Sequence, residues 1–214
     1  MPEPAFSIIG HRGDGAGPDE NTLASCQRAI AAGADAVEVD VMLYRGELVL
    51  AHGRPSGRSE RLSDLLDALN LPVMLHLKRR WFQKHHDVRA LGLISALRYP
   101  PGLFVASFWP STIAFAIKRY PDLQAAFISF RTHRTVSFLN RVGVTRLCVR
   151  HGTVSQTLAE QAKQNHVKLY AYTPNRPRAE LGGQVAGVIT DNVSGWRRVV
   201  PRARRSKASG TRRA

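Results

Sequence analysis

Nine short apolar runs recur along the chain, and the gap between the second and the third is too short to hold a helix. The runs are Phe6–Gly10, Ala36–Leu43, Glu47–Ala51, Val73–Lys78, Leu103–Phe108, Gln124–Phe130, Arg146–Arg150, Lys168–Tyr172 and Ala186–Thr190. Most of the other gaps carry helical patterns, at Thr22–Ala32, Leu62–Leu69, Ser111–Arg119, Thr135–Val142 and Ser155–Asn165, an alternation that reads as parallel strands joined by helical crossovers. Between Leu43 and Glu47 stand only Tyr44, Arg45 and Gly46. A parallel crossover needs about a dozen residues or more, so Glu47–Ala51 has to turn back as the second arm of an antiparallel hairpin. Eight parallel strands remain. Eight strands with alternating helices predict an α/β fold, the TIM (β/α)8 barrel, with an extra hairpin strand after the second barrel strand.

Barrels of this kind build their active sites from the loops at the C-terminal strand ends, and the polar residues of this chain gather there. His11 and Arg12 follow the first run, Glu38 and Asp40 lie in the second, and His52 follows the hairpin. His76 and Lys78 close the next run, while Ser107 and Asp191 sit at two later ends. Alternate side chains of a strand share a face, so Glu38 and Asp40 point the same way and can hold one cation between them. Two imidazoles beside a bound metal can then divide the work of general base and general acid. In the loop after the first run, Asn21 is expected to cap the helix beginning near Thr22, and Glu20 to orient Arg12 by an ion pair.

These residues resemble the glycerophosphodiester phosphodiesterase family. The likeness rests on His11-Arg12-Gly13, Pro18-Asp19-Glu20-Asn21-Thr22, Glu38-Val39-Asp40 and His52, then on Leu75-His76-Leu77-Lys78 and Ser107-Phe108. Tyr170-Ala171-Tyr172-Thr173-Pro174-Asn175 and Gly187-Val188-Ile189-Thr190-Asp191 are similar to its closing motifs. The resemblance implies the same barrel and a metal-dependent hydrolysis of glycerophosphodiesters to an alcohol and sn-glycerol 3-phosphate, hence a place in lipid and glycerol metabolism. It assigns His11 and His52 to catalysis, His11 as base and His52 as acid. The attacking group implied is the substrate's own glycerol hydroxyl, which gives a cyclic phosphate for later hydrolysis. A phosphodiester gathers negative charge in the transition state, and Arg12 and Lys78 are expected to meet it, Arg12 through its planar fork and Lys78 as a point charge.

Three positions depart from the family pattern. The third metal ligand is usually an acid, and here it is His76, beside Glu38 and Asp40. One divalent metal is expected, magnesium or calcium by resemblance; exchanging a carboxylate for an imidazole moves the preference toward manganese, iron or zinc. The same exchange leaves open a module that binds phosphodiesters and has lost catalysis. Gly53 follows His52 where the family commonly has Asp, and Tyr172 stands for the usual Trp, a smaller aromatic wall against the substrate.

At 214 residues with 43% hydrophobic content, the chain is long enough for one well-cored domain. The net charge of +15 is uneven: eight of the 31 Lys and Arg residues lie between Arg197 and Ala214 with no acid among them, leaving 23 against 16 acids, or +7, in the rest. The expectation is therefore a barrel over residues 1–196 and a basic, disordered tail over 197–214, too poor in apolar residues to repay its ordering. Such a tail fits weak contact with an anionic membrane, which leaves a lysophospholipid or other membrane-derived diester open as substrate. No aromatic residue interleaves it, so no specific nucleic acid is expected. Cys26 and Cys148 are too few for a disulfide framework. No apolar run nears the roughly 20 residues of a membrane span, and no basic segment with an apolar core precedes His11, so the expected location is cytoplasmic.

Overall fold

The computed structural model describes residues 6–79, 85–130 and 135–200. Its strands are β1 (Ser7–Gly10), β2 (Ala36–Tyr44), β3 (Glu47–Leu50), β4 (Val73–Leu77), β5 (Phe104–Ser107), β6 (Gln124–Ser129), β7 (Arg146–Arg150), β8 (Lys168–Tyr172) and β9 (Gly187–Thr190). All except β3 run parallel, each bonded to its neighbours, and β1 pairs with both β2 and β9, which closes an eight-stranded barrel. The helices between them are α1 (Leu23–Ala31), α2 (Leu62–Ala68), α3 (His86–Ala96), α4 (Pro110–Arg119), α5 (Thr135–Val142) and α6 (Gln156–Gln164), with α7 (Val193–Val199) after β9. None is long and apolar enough to cross a membrane.

The hairpin does what its short gap demanded. β3 pairs antiparallel with β2, Val41 opposite Leu50 and Tyr44 opposite Glu47. β2 outruns β4, whose last pair is Val41 with Leu77, so the hairpin stands above the barrel rim. The returning strand comes down to the level of Asp40, where the Ala51 amide donates to the Asp40 carbonyl at 3.0 Å. The next residue is His52.

Strand alternation sorts the core into two layers. Ile9, Ala36, Met74, Phe104, Ala106, Ala126, Ile128, Cys148, Tyr170 and Ile189 fill the barrel as one cluster. Their neighbours, such as Val37, Val39, Val73, Leu75 and Leu147, pack outward against the helices. By steps of two along each strand, the same inward parity reaches His11, Glu38, Asp40, His76, Phe108, Phe130, Arg150, Tyr172 and Asp191. The apolar plug thus carries a polar and aromatic cap at the C-terminal end.

Two helices, α3 and α7, have no counterpart among the expected patterns. α3 opens on His86 and Asp87 and carries Gly92, which blurs its apolar stripe, yet it buries Ala90, Leu91 and Ile94. The chain passes the expected boundary at 196 still helical: α7 runs to Val199, and the Arg197 guanidinium lies 2.6 Å from Asp35 Oδ2 and 2.6 Å from the Gly33 carbonyl. Arg197 therefore ties the last helix to the base of the barrel. Residues 201–214, the remainder of the basic tail, and His133 lie outside the described residues. Cys26 and Cys148 are free and buried, and burial pushes both thiols up to about 12, as inert core cysteines should behave.

Candidate active site

The loop after β1 builds one side of the site. Arg12 and Gly13 both turn left-handed, at φ 53° and 87°. Only glycine fits the second position, because a Cβ there would meet Ser25 Oγ at 2.3 Å and the α1 backbone beyond it. The turn is pinned by the Arg12 amide donating to Glu38 Oε2 at 2.9 Å and the Gly13 amide donating to the Glu38 carbonyl at 3.1 Å. His11 is thereby delivered at the top of β1, with its Nδ1 2.6 Å from Asp191 Oδ1. Asp191 is itself held by Asn175, whose side chain donates to its other carboxylate oxygen at 2.8 Å. Burial works against the charged form of His11, but the Asp191 hydrogen bond and the charges of Glu38 and Asp191 prevail and raise its pKa. Burial would raise Asp191 too, yet its bonds with His11 and Asn175 bring it down to about 2.

Asp40 is the hub. It is fully buried. Its Oδ2 lies 3.0 Å from His52 Nδ1, 3.1 Å from Arg12 Nε and 3.2 Å from Asn21 Nδ2. Its Oδ1 lies 3.0 Å from His76 Nδ1 and 3.2 Å from Lys78 Nζ. Burial alone would raise its pKa, but His76, Lys78 and Arg12 around it hold the carboxyl well below the usual range. Arg12 extends further, with Nη1 2.7 Å from Glu20 and Nη2 3.2 Å from His52 Nε2, so the ion pair expected of Glu20 is present.

Glu38, Asp40 and His76 each offer a ligand atom, all within 4.8 Å of one another and all from buried residues. Asp40 Oδ1 is buried and, despite its close neighbours, accepts no hydrogen bond of proper geometry. An orphaned carboxylate oxygen between a second carboxylate and an imidazole suits a divalent cation, so the donor set fits the expected metal. Lys78, Arg79, His76, His52, Phe108 and Trp109 line a cleft of about 240 Å³ beside it.

Two expectations need correction. Asn21 is not the cap of α1: Thr22 takes that place, its hydroxyl accepting from the Ser25 amide at 3.1 Å. Asn21 instead turns inward in a left-handed conformation, φ 59°, with Oδ1 accepting from the Asp40 amide at 2.7 Å. The inward turn was invisible in sequence, since capping is the usual use of Asn in this setting, and the pairing joins a loop residue to Asp40 in β2. Ser107 carries the outward parity of β5 and accepts from the Trp109 amide at 3.2 Å, so it shapes the entry to α4 and does not reach the mouth.

The family model for "Glycerophosphoryl diester phosphodiesterase family" matches residues 11–71, which hold His11, Arg12, Glu38, Asp40 and His52. The glycerophosphodiester phosphodiesterase of Caldanaerobacter subterraneus subsp. tengcongensis is 43% identical over 53 residues, 24% of this chain and 22% of the relative. The matched segment thus spans under a quarter of that relative's length. An Oleispira antarctica phosphodiesterase, solved with the product sn-glycerol-3-phosphate, superposes with TM-score 0.79 at 18% identity, over 91% of this chain and 96% of that one. The Thermotoga maritima glycerophosphodiester phosphodiesterase gives 0.76 at 19% identity, over 91% and 98%. At such identities the two structures speak for the shared barrel, and the family model speaks for the motifs at its rim. The chain thus shares the barrel of these structures and, over residues 11–71, matches the model of the glycerophosphoryl diester phosphodiesterase family.

Proposed function

We propose that the protein hydrolyses glycerophosphodiesters to an alcohol and sn-glycerol 3-phosphate, with His11 and His52 as proton carriers, Arg12 and Lys78 facing the phosphate, and one divalent metal on Glu38, Asp40 and His76. The observation that carries this reading is the pair of imidazoles, each with Nδ1 on its own aspartate, Asp191 or Asp40, and Nε2 on the opposite side of the ring, that of His52 against the Arg12 guanidinium. The bound metal would supply Lewis-acid stabilisation of the charge gathering on the phosphate oxygens. Its family preference would be magnesium or calcium, and His76 favours manganese or zinc. The setting we propose is cytoplasmic, where both buried thiols stay reduced.

The geometry favours exchanging the two proton roles expected from resemblance. A guanidinium only donates, so the contact of Arg12 Nη2 with His52 Nε2 calls for a lone pair on that nitrogen, with the ring proton on Nδ1 facing Asp40. His52 is therefore set to accept the proton of the attacking hydroxyl at Nε2. His11, its charged form favoured by Asp191, is set to pass a proton from Nε2 to the departing alcohol oxygen.

This assignment has a signed pH consequence. The folded pKa of His11 lies above its ordinary 6.5, so the ion pair stabilises the fold fully below that pH and the contribution fades as pH rises through the folded value. Activity that needs the charged form is lost over the same upper range. Asp191→Asn removes the counter-charge, and the alkaline limb of the kcat profile is expected to move to lower pH. An unmoved limb would assign the acid to another group.

The direct test uses metal-stripped protein and measures release of glycerol 3-phosphate from a panel of glycerophosphodiesters, with magnesium, calcium, manganese and zinc restored separately. Turnover is expected to be greater with manganese or zinc than with magnesium. His76→Glu is expected to shift that ratio toward magnesium by about tenfold, the scale on which ligand surroundings tune metal sites. Folded protein that releases no glycerol 3-phosphate with any of the four would overturn the hydrolase reading in favour of a binding module.

A further inference from the structure

The mouth of the barrel is divided into halves of opposite chemistry. β1, β2, β4 and the hairpin supply the charged half, while β5, β6 and β8 end in Phe108, Phe130 and Tyr172. Phe108 and Phe130 stack at 4.5 Å with their planes 8° apart, and Tyr172 stands edge-on to both, at 6.4 and 6.5 Å. The His76 ring meets Phe108 at 5.4 Å, so the aromatic group begins where the metal donors end. At the outer end Phe130 is 68% exposed, the most exposed large apolar side chain among the described residues. Hydrophobic burial of Phe130 would favour the fold, and the chain instead leaves it stacked at the site entrance. The Tyr172 hydroxyl is buried without a hydrogen-bond partner among the described residues, a donor that a ligand oxygen can satisfy.

From this arrangement we infer that Phe130, Phe108 and Tyr172 form a subsite for an apolar chain carried by the substrate, and that the preferred diesters are monoacyl glycerophosphodiesters of the lysophospholipid class. The inference rests on the hydrolase reading above and names its substrate class: the same phosphorus–oxygen bond breaks, the head-group alcohol leaves, and the glycerol phosphate that remains keeps its acyl chain. The charged half takes the phosphodiester, and the acyl chain leaves across the aromatic half, covering the outer face of Phe130. A deacylated glycerophosphodiester has nothing apolar to lay there. A choline-type cation is a poor occupant, because the exposed Arg150 ends β7, the strand between those of Phe130 and Tyr172, whereas an acyl chain is indifferent to that charge.

The test compares kcat/KM for glycerophosphocholine and for a short-chain lysophosphatidylcholine kept below its micellar concentration, so that a chain in solution is separated from a membrane surface. Wild type is expected to prefer the acylated diester. In Phe130→Ala the ratio of acylated to deacylated kcat/KM is expected to fall about tenfold, the order set by loss of one shielded aromatic face, and in Phe130→Leu to recover in part. Turnover of glycerophosphocholine with a preference for it over the acylated diester, or a ratio unmoved by Phe130→Ala, overturns the acyl subsite and leaves the hydrolase standing. Turnover of neither diester by folded, metal-loaded protein overturns the hydrolase reading, and the subsite falls with it.

Discussion

Replacing His11 or His52 by Ala is expected to lower kcat for glycerophosphodiesters by about a thousandfold each, within the range that a positioned acid or base contributes. The two losses should not add. Once one proton carrier is gone the other has no concerted partner, so the double variant is expected to sit close to the worse single one. The variants separate the roles further. Without His52 the attacking hydroxyl keeps its proton, and a diester with a more acidic leaving alcohol gains little; without His11 the same substrate recovers much of the loss, because its alkoxide departs unaided. Folding should change little without His52, whose side chain is 42% exposed, whereas His11→Ala, at 19% exposed, also forfeits the stabilising pair with Asp191. Single variants within tenfold of wild type would remove these histidines from the chemistry.

The barrel was readable because each barrel strand is a short apolar run between turn residues, and because three residues between Leu43 and Glu47 leave room for nothing but a hairpin. Strand parity then extends the reading to the site. Once Ile9, Ala36 and Met74 are known to face inward, His11, Glu38 and Asp40, and His76 follow by steps of two. The residues that escaped are those whose roles depend on contacts between segments far apart in the chain. Asn21 looks like any helix cap until β2 is seen beside it, and the bond between His11 and Asp191 joins the two ends of the chain. Phe130 ends an apolar run and looks like core; it stands instead just past the end of β6, stacked on Phe108 at the end of the adjacent β5. α3 was missed for a local reason, its polar first turn and Gly92 weakening the periodic signal that Ala90, Leu91 and Ile94 carry.

Asp40→Asn is expected to act on activity and stability at once, because one buried carboxylate serves five side chains. The amide can no longer orient His52 as a charged acceptor, and it is a poor donor to a divalent cation, so kcat/KM should fall by a thousandfold or more at every metal concentration. The stability argument is separate. Arg12 and Lys78 lie 3.1 and 3.2 Å from the carboxylate with side chains 15% and 19% exposed, too shielded for water to replace it fully. Removing one member of a buried ionic cluster costs about 3 kcal/mol, since the desolvation of the remaining charges is no longer offset. For a chain of this size that corresponds to a Tm lower by roughly 10 °C in metal-free buffer. Asn21 sharpens the test. Its Oδ1 still accepts from the backbone at residue 40 whatever the side chain there, so the loop after β1 should keep its course and the loss should trace to the charge cluster. A metal-free Asp40→Asn protein as stable as wild type would mean that the cations around Asp40 are relieved by solvent and that the carboxylate is held for chemistry alone. Unimpaired turnover would remove Asp40 from the active site.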